Sequence, residues 1–233
     1  MFSAFSKAFA QLQEPSFRRV FWLGLIGSLA VFVASWVVIG VGFAYWDLPT
    51  IDLWITDVDL DRVKEVFGGI GVLILSWILF PAVITFVIGF FLETIADAVD
   101  ARYYPGLGAP RRQSIGEIIL ITLKFSAIAV FLNILTLPLL LALIFTPFYP
   151  FVFYTVNGYL LGREYYELVA HRRIDPRDAK HVRKNFSGSV FVAGVVIAFL
   201  MTIPIINLLA PVVATAAMVH LVERWRARSG AIG

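Results

Sequence analysis

The 233-residue sequence contains no cysteine, which excludes disulfides, thiolate metal sites and cysteine nucleophiles together. Charge is also scarce: Asp, Glu, Lys and Arg make up 15% of the chain against 60% hydrophobic residues. The mean hydropathy of +0.85 is far above that of a soluble domain. Four stretches carry no charged residue at all: Val20–Trp46, Val66–Leu92, Phe125–Gly162 and Ser187–Val222. Each is long enough to enter or cross a hydrocarbon core, which takes about 20 apolar residues as helix. The lipid bilayer is therefore the first partner of this chain, with Trp22, Tyr45, Trp46 and Trp225 placed at stretch ends as an interfacial belt.

Other absences narrow the chemistry. There is no HExxH, no Walker-type phosphate loop and no serine in a GxSxG context, and the histidines are His171, His181 and His220. No enzyme activity and no cofactor are expected. The net charge of +3 comes mostly from arginines beside the apolar stretches, so it reads as a topology signal and nucleic acid is not an expected partner. The first 19 residues are not expected to be a cleaved signal, because the apolar run behind them is too long for an h-region.

Along the chain, Phe2, Phe5, Phe9 and Leu12 recur at spacings of three, four and three, the mark of a short amphipathic helix over residues 2–14 lying on the membrane surface. Pro15 ends it. Ser16 is a suitable N-cap for a membrane helix over 17–46. An acidic loop, 47–65, carries Asp47, Asp52, Asp57, Asp59, Asp61 and Glu65. A second long helix, 63–92, follows, with Pro81 as a kink and the GGIG at Gly68–Gly71 as a surface for close helix packing. After a polar segment containing Arg102, Arg111 and Arg112 come two longer apolar blocks, 118–162 and 187–225, separated by a basic helix or loop, 163–186.

Prolines interrupt both blocks, at Pro138, Pro147 and Pro150 and at Pro204 and Pro211. Leu135–Leu139 and Met201–Ile205 match in residue type at an offset of 66 residues, which suggests two hairpins of one kind built from broken helices; chance similarity of apolar pentapeptides competes with that reading. The fold class is thus an all-α integral membrane protein with two long transmembrane helices and two Pro-broken helical hairpins. Six spans and two spans plus two half-penetrating hairpins fit equally. Basic residues gather at 7–19, at 163–184 and at Arg224, Arg226 and Arg228, so both termini are expected in the cytoplasm and the acidic loop outside.

Two polar clusters attract attention. In GREYYELVAHRR, Glu164, Glu167 and His171 share a helix face and could ligate a metal, although Arg163 and its i+4 carboxylate make a salt-bridged helix the simpler reading. At the other cluster, Arg18 and Arg19 fall in the first turn of a helix that begins after a proline. The amides there lack intrahelical partners, the helix dipole favours an anion, and the planar guanidinium forks suit tetrahedral oxyanions. On the residues alone, a juxtamembrane pair in contact with lipid phosphates is the simpler reading.

The sequence also resembles the CysZ family of bacterial sulfate permeases. The likeness lies in Gln13, Pro15, Arg18 and Arg19 as Q-x-P-x-x-R-R, in Ile203, Pro204, Asn207, Leu208 and Pro211 as I-P-x-x-N-L-x-x-P, and in the segment Val156–Arg173. The resemblance implies import of sulfate across the bacterial inner membrane for cysteine synthesis, a homo-oligomer, and a sulfate site made by a Gly-x-Arg-Arg element. By position that element is Ser16, Phe17, Arg18 and Arg19, with serine where the family commonly has glycine. Arg163, Glu164 and Asn207, polar groups near hairpin ends, are candidates for a pathway or gate. The competing expectation is a membrane scaffold that docks partners through the basic segment.

Overall fold

The computed structural model describes residues 1–45, 51–53, 56–58, 60–111 and 113–230. It is helical: α1 (Phe2–Gln11), α2 (Pro15–Ala44), α3 (Leu60–Gly89), α4 (Leu92–Tyr103), α5 (Ile115–Leu143), α6 (Tyr149–Ala170), α7 (Pro176–Asn185), α8 (Ser187–Thr202) and α9 (Ile206–Ser229). Between α2 and α3, β1 (Ile51–Leu53) and β2 (Thr56–Val58) pair antiparallel with Asp52 opposite Asp57. The segment expected as an acidic loop is thus partly a ribbon, and the rest of it before α3, with Asp47 and Asp59, lies outside the described residues, as does Arg112. Among the described residues, α2, α5 and α9 each contain a stretch long and apolar enough to cross a membrane, and α7 with α8 forms a pair bent by 87° that passes the same test together.

Contacts divide the chain into two units, Met1–Arg18 with Leu92–Gly233, and Arg19–Phe91. In the second unit α2 and α3 pair closely. A side chain on Gly24 would meet Ile88 at 2.5 Å and one on Gly27 would meet Val87 at 3.1 Å. Ser28 is buried at this seam, and the Trp36 indole donates to the Ser76 hydroxyl at 2.7 Å. By contrast, Gly69 and Gly71 meet nothing within 4 Å, so the expected packing role of the GGIG motif is not seen for these two.

The first unit is built around α9, whose residues from Ala210 to Val222 are all buried. α1, α4, α6 and α8 surround it. α1 turns Ala4, Phe5, Ala8 and Gln11 inward, whereas Phe2 and Phe9 are exposed. The protein-facing stripe is thus mostly small residues, which let two helices approach, and only Phe5 of the aromatic stripe takes part. α5 is the opposite of α9: none of its residues is buried, and its apolar surface is left for lipid or another chain.

Proline position needs a correction at two sites, since α9 runs unbroken through Pro211. α5 runs unbroken through Pro138, and the turn of this hairpin comes at residues 144–148. A proline inside a helix forfeits one hydrogen bond; unwinding there in hydrocarbon would leave several backbone groups unpaired, each at several kcal/mol. Pro204 does break its hairpin. Ile203 before it is extended (φ −87°, ψ 119°), as the clash with the proline ring requires, and Ile205 takes the unusual φ of 69°. The five-residue similarity around Pro138 and Pro204 therefore does not reflect a structural repeat.

The closest contact in the first unit is between α6 and α8, at Gly158, Gly162 and Gly194. A Cβ on Gly194 would overlap the Gly158 carbonyl oxygen, and one on Gly162 would overlap the Val190 carbonyl oxygen. Gly194→Ala is expected to lower stability by about 1–3 kcal/mol through overpacking, whereas Gly188→Ala, where a Cβ meets nothing within 4 Å, is expected to leave it unchanged; thermal unfolding in detergent separates the two.

Candidate anion-binding site

Pro15 is the first residue of α2, where a fixed φ favours the helix and the missing N–H costs nothing. The Glu14 amide donates to the Gln11 carbonyl at 2.9 Å, and the Arg18 amide donates to the Glu14 carbonyl at 3.0 Å. Ser16 accordingly stands inside the first turn and not at the N-cap. Of the first-turn amides, those of Ser16 and Phe17 have no acceptor among the described residues.

Phe17 is 1% exposed and anchors this turn, while Ser16, Arg18 and Arg19 face outward. Among the described residues no carboxylate lies within ion-pair distance of either arginine. The nearby Glu14 carboxylate is engaged by Arg102 at 3.0 Å. The Ser16 amide and hydroxyl and two guanidinium groups are thus presented over one turn of helix, whereas the amide of Phe17 belongs to a residue only 1% exposed.

A second polar centre lies in α6 and α7. Arg163, its side chain 7% exposed, donates from Nε to Glu167 Oε1 at 2.7 Å, and Arg183 Nε lies 4.0 Å from the same oxygen. The Arg163 guanidinium also rests over the Phe125 ring, 5.8 Å from its centre. α7 is held back against α6 by the Tyr166 hydroxyl, which donates to the Ala179 carbonyl at 2.7 Å. Glu164 is not part of this pairing; it lines a separate cavity of about 310 Å³ with Glu93, Glu167 and His171. Burial pushes the His171 pKa below the usual imidazole value, so the ring is neutral at pH 7. No group of metal-ligating side chains is found among the described residues, and the Glu167 carboxylate is engaged by arginine.

Asn207 is not brought near Arg163. Its amide donates to the Ile203 carbonyl at 2.9 Å in the turn before α9. Arg163 shares a cavity with Ser187, Gly188 and Val190 at the opposite end of α8, and the 16 residues of α8 extend about 24 Å. The candidate pathway residues therefore do not form one constellation.

Sequence reasoning did not anticipate the carboxylates that take up Arg172 and Arg173. Arg172 bonds Asp97, contacts Asp100 at 3.4 Å and donates to the Glu93 carbonyl at 3.1 Å. Arg173 meets Asp100 at 2.5 Å and donates to the Gly108 carbonyl at 2.6 Å. The i, i+3 spacing of Asp97 and Asp100 on α4 was the available signal.

Compared with known families, residues 4–211 match the model described as sulfate transporter CysZ/etoposide-induced protein 2.4. The match includes the α2 start, all of α6 to α8 and Asn207. Comparison with curated proteins gives no match.

The Asp100 cluster has a measurable consequence. Its side chain is 12% exposed and serves two arginines that are 8% and 7% exposed, so Asp100→Asn is expected to cost about 3 kcal/mol by leaving buried charge unpaired. Asp97→Asn, at a side chain 63% exposed, is expected to cost less than about 1 kcal/mol. Equal losses in thermal or denaturant unfolding would contradict this assignment.

Proposed function

The chain belongs to the sulfate transporter CysZ/etoposide-induced protein 2.4 family, and from that membership we propose that it is a sulfate permease of the bacterial inner membrane, importing the dianion for assimilation into cysteine. The observation that carries the reading is the start of α2. A helix N-terminus with two unpaired amides already favours an anion, and Arg18 and Arg19 add permanent charge and paired donors. Ser16 supplies an amide and a hydroxyl, and the buried Phe17 anchors the turn that carries them. A site made almost wholly of donors favours sulfate over hydrogen phosphate, whose proton needs an acceptor.

Sulfate then passes by facilitated diffusion, among oligomerised copies whose contacts include the uncovered surface of α5. Both termini lie in the cytoplasm, on the side of the basic segments. The scaffold reading has less support. Arg163, Arg172 and Arg173 of the basic segment are held by carboxylates of the same chain, which leaves fewer of its charges for a partner.

Proteoliposomes provide the test. Uptake of radiolabelled sulfate by the wild type is expected to exceed that by Arg18→Ala/Arg19→Ala at least tenfold, since loss of charge-assisted hydrogen bonds costs about 1.5–3 kcal/mol each. Equal uptake by the two would contradict the site. Wild-type uptake no greater than in empty liposomes would favour the scaffold.

A further inference from the structure

Arg163 and Arg183 have a feature that their pairing with Glu167 does not use. Both approach the carboxylate through Nε, so their Nη ends are directed elsewhere, and no acceptor for those ends is found among the described residues. Both side chains line a cavity of about 340 Å³ whose wall also includes Tyr159, Ser187 and Gly188 and contains no carboxylate. Ser187 and Gly188 form the first turn of α8, which has no side-chain cap and no acidic residue. The first backbone bond there runs from the Val190 amide to the Phe186 carbonyl at 2.9 Å; the amides of Gly188 and Ser189 have no backbone acceptor among the described residues.

The setting explains why the cavity should hold an anion. Two guanidinium groups share one carboxylate: Arg163, 7% exposed, holds it at 2.7 Å, and Arg183, 25% exposed, lies 4.0 Å away with its charge little compensated. A partly buried charge without a close partner is costly. The helix dipole of α8 adds positive potential at the same spot. The corner between α7 and α8 is sharp, 87°, and Phe186 at that corner stacks on Trp225 with ring centres 5.7 Å apart. The polar α7 therefore gives way to the apolar α8 at the cavity itself.

We propose that Arg163, Arg183 and the first turn of α8 form a second oxyanion site, which takes a tetrahedral sulfate or phosphate group, either as the free ion or as the headgroup of an anionic lipid. The site rests on this cavity and not on the reading of Arg18 and Arg19.

The test is thermal unfolding in lipid-free detergent, in the Arg18→Ala/Arg19→Ala background, titrated with sodium sulfate at constant ionic strength or with dihexanoyl-phosphatidylglycerol. Stabilisation by at least one of the two is expected to persist in that background. Adding Arg183→Gln is expected to raise its half-saturating concentration at least tenfold, and Arg183→Lys, which keeps the charge and loses the fork, is expected to raise it less. Response to sulfate identifies the free ion; response to the phospholipid alone, with none to an uncharged glycoside amphiphile, identifies the headgroup. Either supports the site. Identical half-saturation with and without Arg183→Gln would overturn it, as would loss of all stabilisation in the double-alanine background. Neither result bears on sulfate uptake through Arg18 and Arg19, so this site and the proposed function fail separately.

Discussion

The first unit depends on the approach of α6 and α8 at Gly158, Gly162 and Gly194, where backbone meets backbone without side chains between. In hydrocarbon there is no hydrophobic force to drive two helices together, so close packing has to supply the association. The same contact sets what lies beyond it. Directly after Gly162, Arg163 and, one turn on, Glu167 are brought to the start of α8, and α7 is folded back so that Arg183 arrives from the other side. Substituting a larger side chain would move the arginines together with the helix.

Charge in this protein is handled by a common device. Several arginines of the first unit are fixed by carboxylates of the same chain: Arg163 by Glu167, Arg172 and Arg173 by Asp97 and Asp100, Arg102 by Glu14, and Arg111 by Glu117. Arg18 and Arg19, like Arg177, Arg224 and Arg228, have no carboxylate partner among the described residues, and they stand out by sitting together at a helix start. Two helix starts, those of α2 and α8, then offer one chemistry: unpaired amides, serine hydroxyls and guanidinium donors. Both features are weak alone. Many helices begin with free amides and many membrane proteins carry boundary arginines; their coincidence within one turn is what supports anion recognition.

The start of α2 was legible in the sequence because proline followed by arginines carries its meaning locally. The fold class was legible too, since uncharged runs of such length admit few solutions. Pro138 misled because its cost depends on the solvent: a break that water would tolerate is costlier in lipid than the lost bond. The Phe2, Phe5, Phe9 and Leu12 periodicity was visible, but the face used for packing follows Ala4 and Ala8, whose small size matters only once α9 is beside them. Arg183 could be counted among the basic residues but not placed, because its position depends on the Tyr166 hydroxyl reaching the Ala179 carbonyl. The pairing of Arg172 with Asp97 spans 75 residues, and no local pattern encodes it.

These features support the proposed recognition of a dianion by donors and charge. Selectivity is then the property closest to the account's centre. The direct measurement is tracer sulfate uptake into proteoliposomes in the presence of excess unlabelled sulfate, selenate, hydrogen phosphate or chloride. The account predicts strong competition by sulfate and selenate, weaker competition by hydrogen phosphate and little by chloride. Competition by chloride equal to that by sulfate would contradict it.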